Sequence, residues 1–146
     1  MLGLSPHDLD ISIRLLSAMV LGALIGLERE THGKDAGVRT YALVSMGSAL
    51  FMIVSIDIVK VGGNVDASRI AAQAVSGIGF LGAGAIMRFE KEIKGLTTAA
   101  GIWVAAGVGL ACGLGEYHPA LLTTAFALTI LIVWSKVNRF FGGKDY

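Results

Sequence analysis

Long uncharged runs alternate with short charged clusters along the chain. Five runs contain no Asp, Glu, Lys or Arg, and they measure 13, 17, 18, 21 and 19 residues: Leu15–Leu27, Thr40–Ile56, Ile70–Met87, Gly95–Gly115 and Tyr117–Ser135. A helix needs about 20 mainly apolar residues to cross a bilayer, with a range of about 17–25. The last four runs reach this length directly. The first does so if its helix begins near Ile11 and Arg14 extends its side chain to the interface.

A soluble helical core is the alternative explanation of these runs. It would require polar faces at helical spacing, and neither Ile70–Met87 nor Gly95–Gly115 has one. Asp8 and Asp10 near the N-terminus, in place of a basic stretch, argue against a cleaved signal peptide. The sequence therefore predicts an all-α membrane protein, with residues 1–146 forming a single transmembrane domain. About five helices are expected, over residues 11–28, 40–58, 68–87, 96–114 and 118–136.

The distribution of Lys and Arg predicts the orientation in the membrane. Nine of these residues fall in the connections that follow the first, third and fifth helices: Arg29, Lys34, Arg39, Arg88, Lys91, Lys94, Lys136, Arg139 and Lys144. Three fall on the other side: Arg14, Lys60 and Arg69. Because cytoplasmic loops are enriched in basic residues, the N-terminus is expected outside and the C-terminus in the cytoplasm.

Composition narrows the class of protein further. Hydrophobic residues make up 54% of the chain and charged residues 16%, with a mean hydropathy of +0.70. The net charge of +1 leaves no broad basic surface for nucleic acid. The single cysteine, Cys112, excludes a disulfide within the chain and a cysteine-rich metal site. Twenty glycines and only two prolines are typical of closely packed helices in lipid.

Glycines predict where the helices pack. Ala18, Gly22 and Gly26 recur every four residues in the first helix, and Gly101, Ala105 and Gly109 do so in the fourth. Small residues at this spacing let two backbones approach closely. These helices are therefore expected to pack tightly, within the bundle or across a dimer.

The third helix contains the pattern G-x-G-x-x-G, which lies inside an apolar run and not between a strand and a helix. A nucleotide-binding loop is therefore rejected. The glycines point to several sides of the helix, which predicts a central helix surrounded by neighbours. A locally unwound segment that lines a cavity is the sharper alternative. The packing glycines predicted here are Gly77, Gly79, Gly82 and Gly84.

Charged and amide side chains near the helix ends form the candidate functional cluster. Its members are Glu28, Arg29, Arg39, Asp66, Arg69 and Gln73. Asp66 and Arg69 lie three residues apart, so they are predicted to pair across one helix turn with Arg69 facing into the bundle. Asp66 also fits a simple helix cap, and Glu28 a solvated helix end. Gln73 lies within an apolar run, where an amide needs a partner. The histidines lie in separate loops and no catalytic motif occurs, so neither an enzyme nor a cofactor is expected.

Three segments resemble the MgtC/SapB family of bacterial membrane proteins. The first comprises Gly26–Glu30 and Gly37–Val44, the second Asp66–Gln73 and Ser76–Gly84, and the third Gly95–Trp103. Together they cover the chain in order from about Leu21 to Gly115. The family usually has proline after the aspartate, where this chain has Ala67. Longer members carry a small soluble C-terminal domain, and a sequence that ends at Tyr146 is expected to be the short form without it.

The resemblance implies a multi-pass protein of the bacterial inner membrane, linked to growth in low magnesium and to survival inside host cells. It also implies action on other membrane proteins, with the F-type ATP synthase as one partner. Many family members are nonetheless described as magnesium transporters.

Three functions follow as hypotheses. The first is a small regulatory membrane protein that binds other membrane proteins, and the second is a transporter or channel for magnesium or another cation. The third is a purely structural homo-oligomer. Mg²⁺ requires oxygen ligands and loses water reluctantly. No acidic residue lies in the central part of a predicted helix, so regulation is favoured, although an unwound Gly77–Gly84 would supply carbonyl ligands.

Overall fold

The computed structural model describes residues 5–61, 66, 68–90 and 92–140. Five helices and one short β-hairpin follow one another along the chain: α1 Pro6–Thr31, α2 Val38–Val61, α3 Ser68–Gly84, β1 Met87–Arg88, β2 Ile93–Lys94, α4 Leu96–Leu114 and α5 Tyr117–Phe140. Four of the described helices are long and apolar enough to cross a membrane, namely α1, α2, α4 and α5. α3 has 17 residues, about 26 Å of helix. The chain is thus an all-α membrane protein, and its orientation stays a prediction.

α1 begins earlier than the hydrophobic run alone predicts, because polar residues cap it. Ser5 accepts a hydrogen bond from the Asp8 backbone N–H at 3.1 Å, and the Asp8 carboxylate accepts one from the Ser5 backbone N–H at 3.0 Å. This reciprocal pair satisfies two backbone donors at the helix start. Pro6 follows at the first helical position, which suits its fixed φ. The first turn is therefore set by capping, ahead of the apolar residues.

α1, α2 and α4 form the core, and small residues bring their backbones together. A Cβ added to Gly22 of α1 would lie 2.6 Å from both the Ser45 Cβ and the Tyr41 carbonyl oxygen of α2. One added to Gly113 of α4 would lie 2.6 Å from the Ala49 carbonyl oxygen, also in α2. Such contacts require glycine.

α2 is therefore the helix against which both α1 and α4 pack at their glycines. Its inward face carries buried small residues, listed here in chain order: Ser45, Ser48, Ala49 and Ser55. A Cβ added to Gly26 in α1 would lie 2.8 Å from both the Gly37 carbonyl oxygen and the Val38 Cα. One added to Gly109 in α4 would overlap the Ser45 carbonyl oxygen. The spacing of glycines did not point to α2, because the small residues on its inward face are mostly serines.

α3 is not the central helix of this chain, contrary to expectation. Cβ atoms added to Gly77, Gly79 and Gly84 would meet no described atom within 4 Å. One added to Gly82 would lie 3.7 Å from the Ala99 Cβ, an ordinary van der Waals distance. α3 therefore packs on α2 and α4 by one side, and its other three glycines mediate no close helix contact among the described residues. It is a regular helix over Ser68–Gly84, so the unwound alternative is also wrong here.

The third helix ends three residues before the predicted boundary, since a β-hairpin begins at Met87. Met87 pairs with Lys94, and Arg88 with Ile93. Gly95 then returns the chain into α4 with a φ of +88°. A Cβ on Gly95 would overlap the Ala85 carbonyl oxygen. The apolar residues Ile86 and Met87 thus join a turn and a strand, where hydrophobicity alone predicts continued helix.

Replacing Gly95 by alanine should destabilise the protein more than replacing Gly33. Both glycines have positive φ, which costs other residues about 1–2 kcal/mol. Gly33 has open space around an added Cβ, whereas Gly95 faces backbone, so overlap adds to strain only at Gly95. Thermal unfolding in detergent should show a clearly larger loss for Gly95→Ala. Equal losses would mean that the turn relaxes around the methyl group.

Candidate functional site

Two oppositely charged residues lie buried where α1 ends. We call this end of the bundle, which also holds the start of α2 and the β-hairpin, the hairpin end. The side chains of Glu28 and Arg29 are each only 6% exposed. They sit in the last two turns of α1, beside Gly26, whose lack of a side chain lets the start of α2 approach. The alternative interpretation, a solvated helix end, is therefore wrong for these two residues.

The pair is incompletely satisfied. Arg29 Nη1 lies 3.4 Å from Glu28 Oε2, a long contact for a charge-assisted hydrogen bond. Arg29 Nε has no hydrogen-bond partner among the described residues. His32 Nδ1 is 3.1 Å from Glu28 Oε1, but its shorter contact, at 2.8 Å, is with the Glu28 carbonyl oxygen. Glu28 Oε1 has no hydrogen bond of good geometry in the described part of the chain.

Tyr41 connects the charged pair to α4. Its side chain is fully buried, and its hydroxyl donates to the Thr98 carbonyl oxygen at 3.2 Å. A Cβ added to Gly101 would lie 2.5 Å from that hydroxyl, so this glycine makes room for the tyrosine. Glu28 and Arg29 both lie close enough to act electrostatically on Tyr41. Tyr41 is a site residue that sequence analysis missed, although it stands in the first family-like segment.

Glu30, the next residue after the pair, caps the start of α2. Its Oε2 accepts a hydrogen bond from the Val38 backbone N–H at 2.9 Å. This carboxylate therefore satisfies an orphan donor at the start of α2 and suits the positive end of the helix dipole. Three consecutive charged residues thus separate into a buried pair and an exposed cap.

A cavity of about 420 Å³ lies between α2, α3 and α4 at the hairpin end. Asp35, Thr40 and Thr98 contribute polar atoms to its wall. Val44, Leu81 and Ile102 make the wall apolar further into the helices. Thr98 belongs to both features, because its carbonyl oxygen accepts from Tyr41 while the residue lines the cavity. The cavity therefore borders the hydrogen bond between Tyr41 and Thr98, at the same end of the bundle as the buried pair.

The other predicted cluster members do not join this site. Arg39, Asp66, Arg69 and Gln73 are all exposed within the chain. Asp66 caps α3, since its Oδ1 accepts from the Ser68 backbone N–H at 2.9 Å. That hydrogen bond holds the pKa of the Asp66 carboxyl below its usual value. The ion pairs found among described residues do not include one between Asp66 and Arg69, so the predicted inward-facing pair is wrong for the single chain.

Arg14 anchors the opposite end of α1. Its Nη1 donates to the Gly113 carbonyl oxygen at 2.8 Å, and its Nε lies 2.8 Å from Asp10 Oδ2. A cation at the last turn of α4 satisfies a free carbonyl and suits the negative end of that helix dipole. The sequence predicted only that Arg14 extends its side chain to the membrane interface. It did not predict this contact between helices.

No group of three or more His, Cys, Asp or Glu side chains able to hold a metal ion occurs in the described ranges. A protein site for Ca²⁺ or Mg²⁺ is built mainly from oxygen ligands, with carboxylates foremost. The site at the hairpin end instead pairs one carboxylate with a guanidinium.

The fold and site define a small α-helical membrane protein with a glycine-packed core and a buried charge pair at one end. The chain belongs to the MgtC family, whose model matches residues 15–140. The resemblance noted from the three sequence segments is therefore confirmed. No solved structure matches the chain.

Relatives in several bacteria are similar over most of the chain. It is 44% identical over 144 residues to "Putative magnesium transporter YhiD" of Escherichia coli (strain K12), covering 94% of this chain and 66% of that protein. It is 50% identical over 117 residues to "Protein MgtC" of Salmonella typhimurium (strain LT2), covering 80% of this chain and 48% of that protein. The chain thus spans between about half and two thirds of these relatives.

Proposed function

We propose that this chain is a small regulatory protein of the bacterial cytoplasmic membrane that serves magnesium handling by binding other membrane proteins. The observation that carries the proposal is the buried, incompletely paired Glu28 and Arg29. Unsatisfied polar atoms cost stability, and a buried ion pair often stabilises no better than apolar residues. Such a pair is better accounted for by a working role than by folding.

The link to magnesium comes from a relative. The Escherichia coli relative that is 44% identical to this chain bears the name "Putative magnesium transporter YhiD". Membership of the MgtC family supports the same physiological setting.

Packing favours regulation over conduction. The contacts of α1, α2 and α4 bring backbone against backbone at Gly22, Gly109 and Gly113, which leaves no space there for a hydrated ion. Mg²⁺ keeps several waters and requires oxygen ligands. The cavity between α2, α3 and α4 offers oxygen atoms at the hairpin end but turns apolar at Val44 and Ile102.

Transport is the second candidate, and one feature favours it. Asp35, Thr40 and Thr98 place a carboxylate and two hydroxyl groups at the wall of a cavity large enough for a hydrated ion. If this cavity extended through the bundle during a cycle, these residues would form its entrance.

Growth in low magnesium tests the regulatory proposal. In a bacterium whose own gene is deleted, the wild-type protein should restore growth, and Glu28→Gln or Arg29→Gln should not. Glu116→Gln, an exposed change at the opposite end, serves as the control and should restore growth. Membrane levels of each protein are measured by immunoblot. If both site variants are present at wild-type level and restore growth fully, the buried pair is not the working element.

A further inference from the structure

One face of α3 remains uncovered and differs from an ordinary lipid-facing surface. Five exposed residues spaced 4, 3, 4 and 3 apart define it, and we call it the α3 seam: Arg69, Gln73, Ser76, Phe80 and Ala83. Phe80 is 83% exposed, the highest value among the large apolar side chains. A spacing that averages 3.5 residues keeps these side chains on one side of a helix, as in helices that pair along their length.

The seam contains groups that hydrocarbon does not satisfy. Gln73 carries an amide and Ser76 a hydroxyl within an apolar run, and neither side chain makes a hydrogen bond within the described residues. Gly77 and Gly84 flank the seam and face open space, where glycine costs a helix about 1 kcal/mol each. By contrast, the exposed face of α5 presents mainly large apolar residues over the same depth: Leu122, Phe126, Ile130 and Val133. The exposed Thr129 hydroxyl on this face is satisfied within the helix, because it donates to the Ala125 carbonyl oxygen at 2.8 Å. The α5 face suits lipid, whereas the α3 seam suits another protein surface.

The chemistry of the seam fits a second copy of the same chain. Two copies inserted in the same orientation relate by a two-fold axis along the membrane normal, so their α3 helices run parallel and place like residues opposite one another. An amide both donates and accepts hydrogen bonds, so Gln73 satisfies Gln73 of the second copy. Phe80 is the one bulky residue of the seam, and the small Ser76 and Ala83 on either side leave the hollows that receive it.

In the same parallel arrangement, the charged residues at the start of α3 in one copy complement those in the other copy. Asp66 and Arg69 lie one turn apart, and they form no ion pair with each other within the described chain. In a parallel pair, Arg69 of one copy reaches Asp66 of the other, twice over by symmetry. Antiparallel helices would separate these charges by the length of α3.

We propose that the α3 seam is the interface of a parallel two-fold homodimer, with Phe80 and Gln73 at its centre. This proposal explains why Gly77 and the amide of Gln73 point away from the chain's own core. It stands independently of the function proposed above.

Cysteine cross-linking in native membranes tests the interface. In a Cys112→Ala background, Phe80→Cys should give a disulfide-linked dimer on mild oxidation. Phe126→Cys in α5, which is 62% exposed and equally apolar, is the matched control and should stay monomeric. Equal cross-linking at both positions, or a product with a different polypeptide at Phe80→Cys, would overturn the proposal.

Two seam variants test the chemistry by energy transfer between labelled copies in liposomes. Gln73→Leu should weaken the dimer about threefold, the effect of one hydrogen bond between helices in a bilayer. Gly77→Leu should weaken it further by separating the helices. Gly77 is exposed and an added Cβ there meets no described atom within 4 Å, so the single chain is expected to keep its packing. Wild-type energy transfer in both variants would show that the copies meet elsewhere.

Discussion

Gly109→Ala should markedly destabilise the protein, whereas Gly107→Ala, two residues away in α4, should leave it as stable or slightly more stable. An added Cβ at Gly109 would overlap the Ser45 carbonyl oxygen, which α2 holds in its backbone. At Gly107 the same methyl group meets no described atom within 4 Å. Overpacking costs about 1–3 kcal/mol and occasionally more, and a backbone neighbour cannot rotate away. Alanine at Gly107 gains about 0.5–1 kcal/mol of helix preference.

Thermal unfolding in detergent, followed by tryptophan fluorescence, measures this difference. The two variants share one helix, one substitution and one background, so their difference isolates the contact with α2. The same loss at both positions would mean that the change acts through the helix itself and that α2 and α4 do not meet at Ser45.

Removing one partner of the buried pair is the second large effect expected. Arg29→Met leaves the Glu28 carboxylate buried with no guanidinium beside it, and breaking such a pair costs about 3–5 kcal/mol. Glu28→Leu likewise leaves the Arg29 guanidinium buried with no carboxylate beside it. The double variant Glu28→Leu/Arg29→Met should regain most of this stability, because apolar residues replace both charges. Its function in low magnesium should nevertheless stay lost.

The coupling between the two positions is obtained from a double-mutant cycle on unfolding free energies. Asp57 and Lys60, an exposed pair at 3.0 Å, provide the comparison and should show little or no coupling, because solvent screens exposed charges. Additive losses at Glu28 and Arg29 would contradict the account, since the two charges would then act separately. A stable double variant that also restores growth would remove the pair from the working site.

The sequence was sufficient to predict the class of fold because lipid imposes one strong constraint. Uncharged runs of helical length located all five helices, and their described boundaries differ from expectation by at most a few residues within the apolar regions. Departures occur where polar chemistry decides, as at the capped start of α1 and at the hairpin after Gly84. A hydrophobic run does not reveal which of its residues form a helix and which form a turn.

The arrangement of the helices was harder to predict. Glycine spacing pointed to close contact at Gly22, Gly26, Gly101 and Gly109, and each of these lies against a neighbouring helix or its tyrosine. The same reasoning placed α3 at the centre, where the structure places α4 between its neighbours. Glycine permits close approach on any side, but it does not say whether the approaching helix belongs to the same chain.

The candidate site was predicted in part. Glu28 and Arg29 belong to it, but whether a charge at a helix end turns inward depends on the neighbouring helix, and here Gly26 and α2 provide the enclosure. Tyr41 was missed because an aromatic residue in an apolar run resembles any other core residue. Asp66 and Arg69 were predicted as an inward pair, although the cap at Ser68 keeps Asp66 outside the bundle.

The most direct test of the regulatory proposal is a magnesium flux measurement. The purified full-length protein is reconstituted into liposomes that enclose a magnesium-sensitive dye, beside empty liposomes as the baseline. A regulatory protein should leave the rate of Mg²⁺ entry at that baseline. The same protein, expressed in the deletion strain, should support growth in low magnesium. Mg²⁺ entry above the baseline that Glu28→Gln or Thr98→Val abolishes would show a conduit through the hairpin-end cavity and contradict the account.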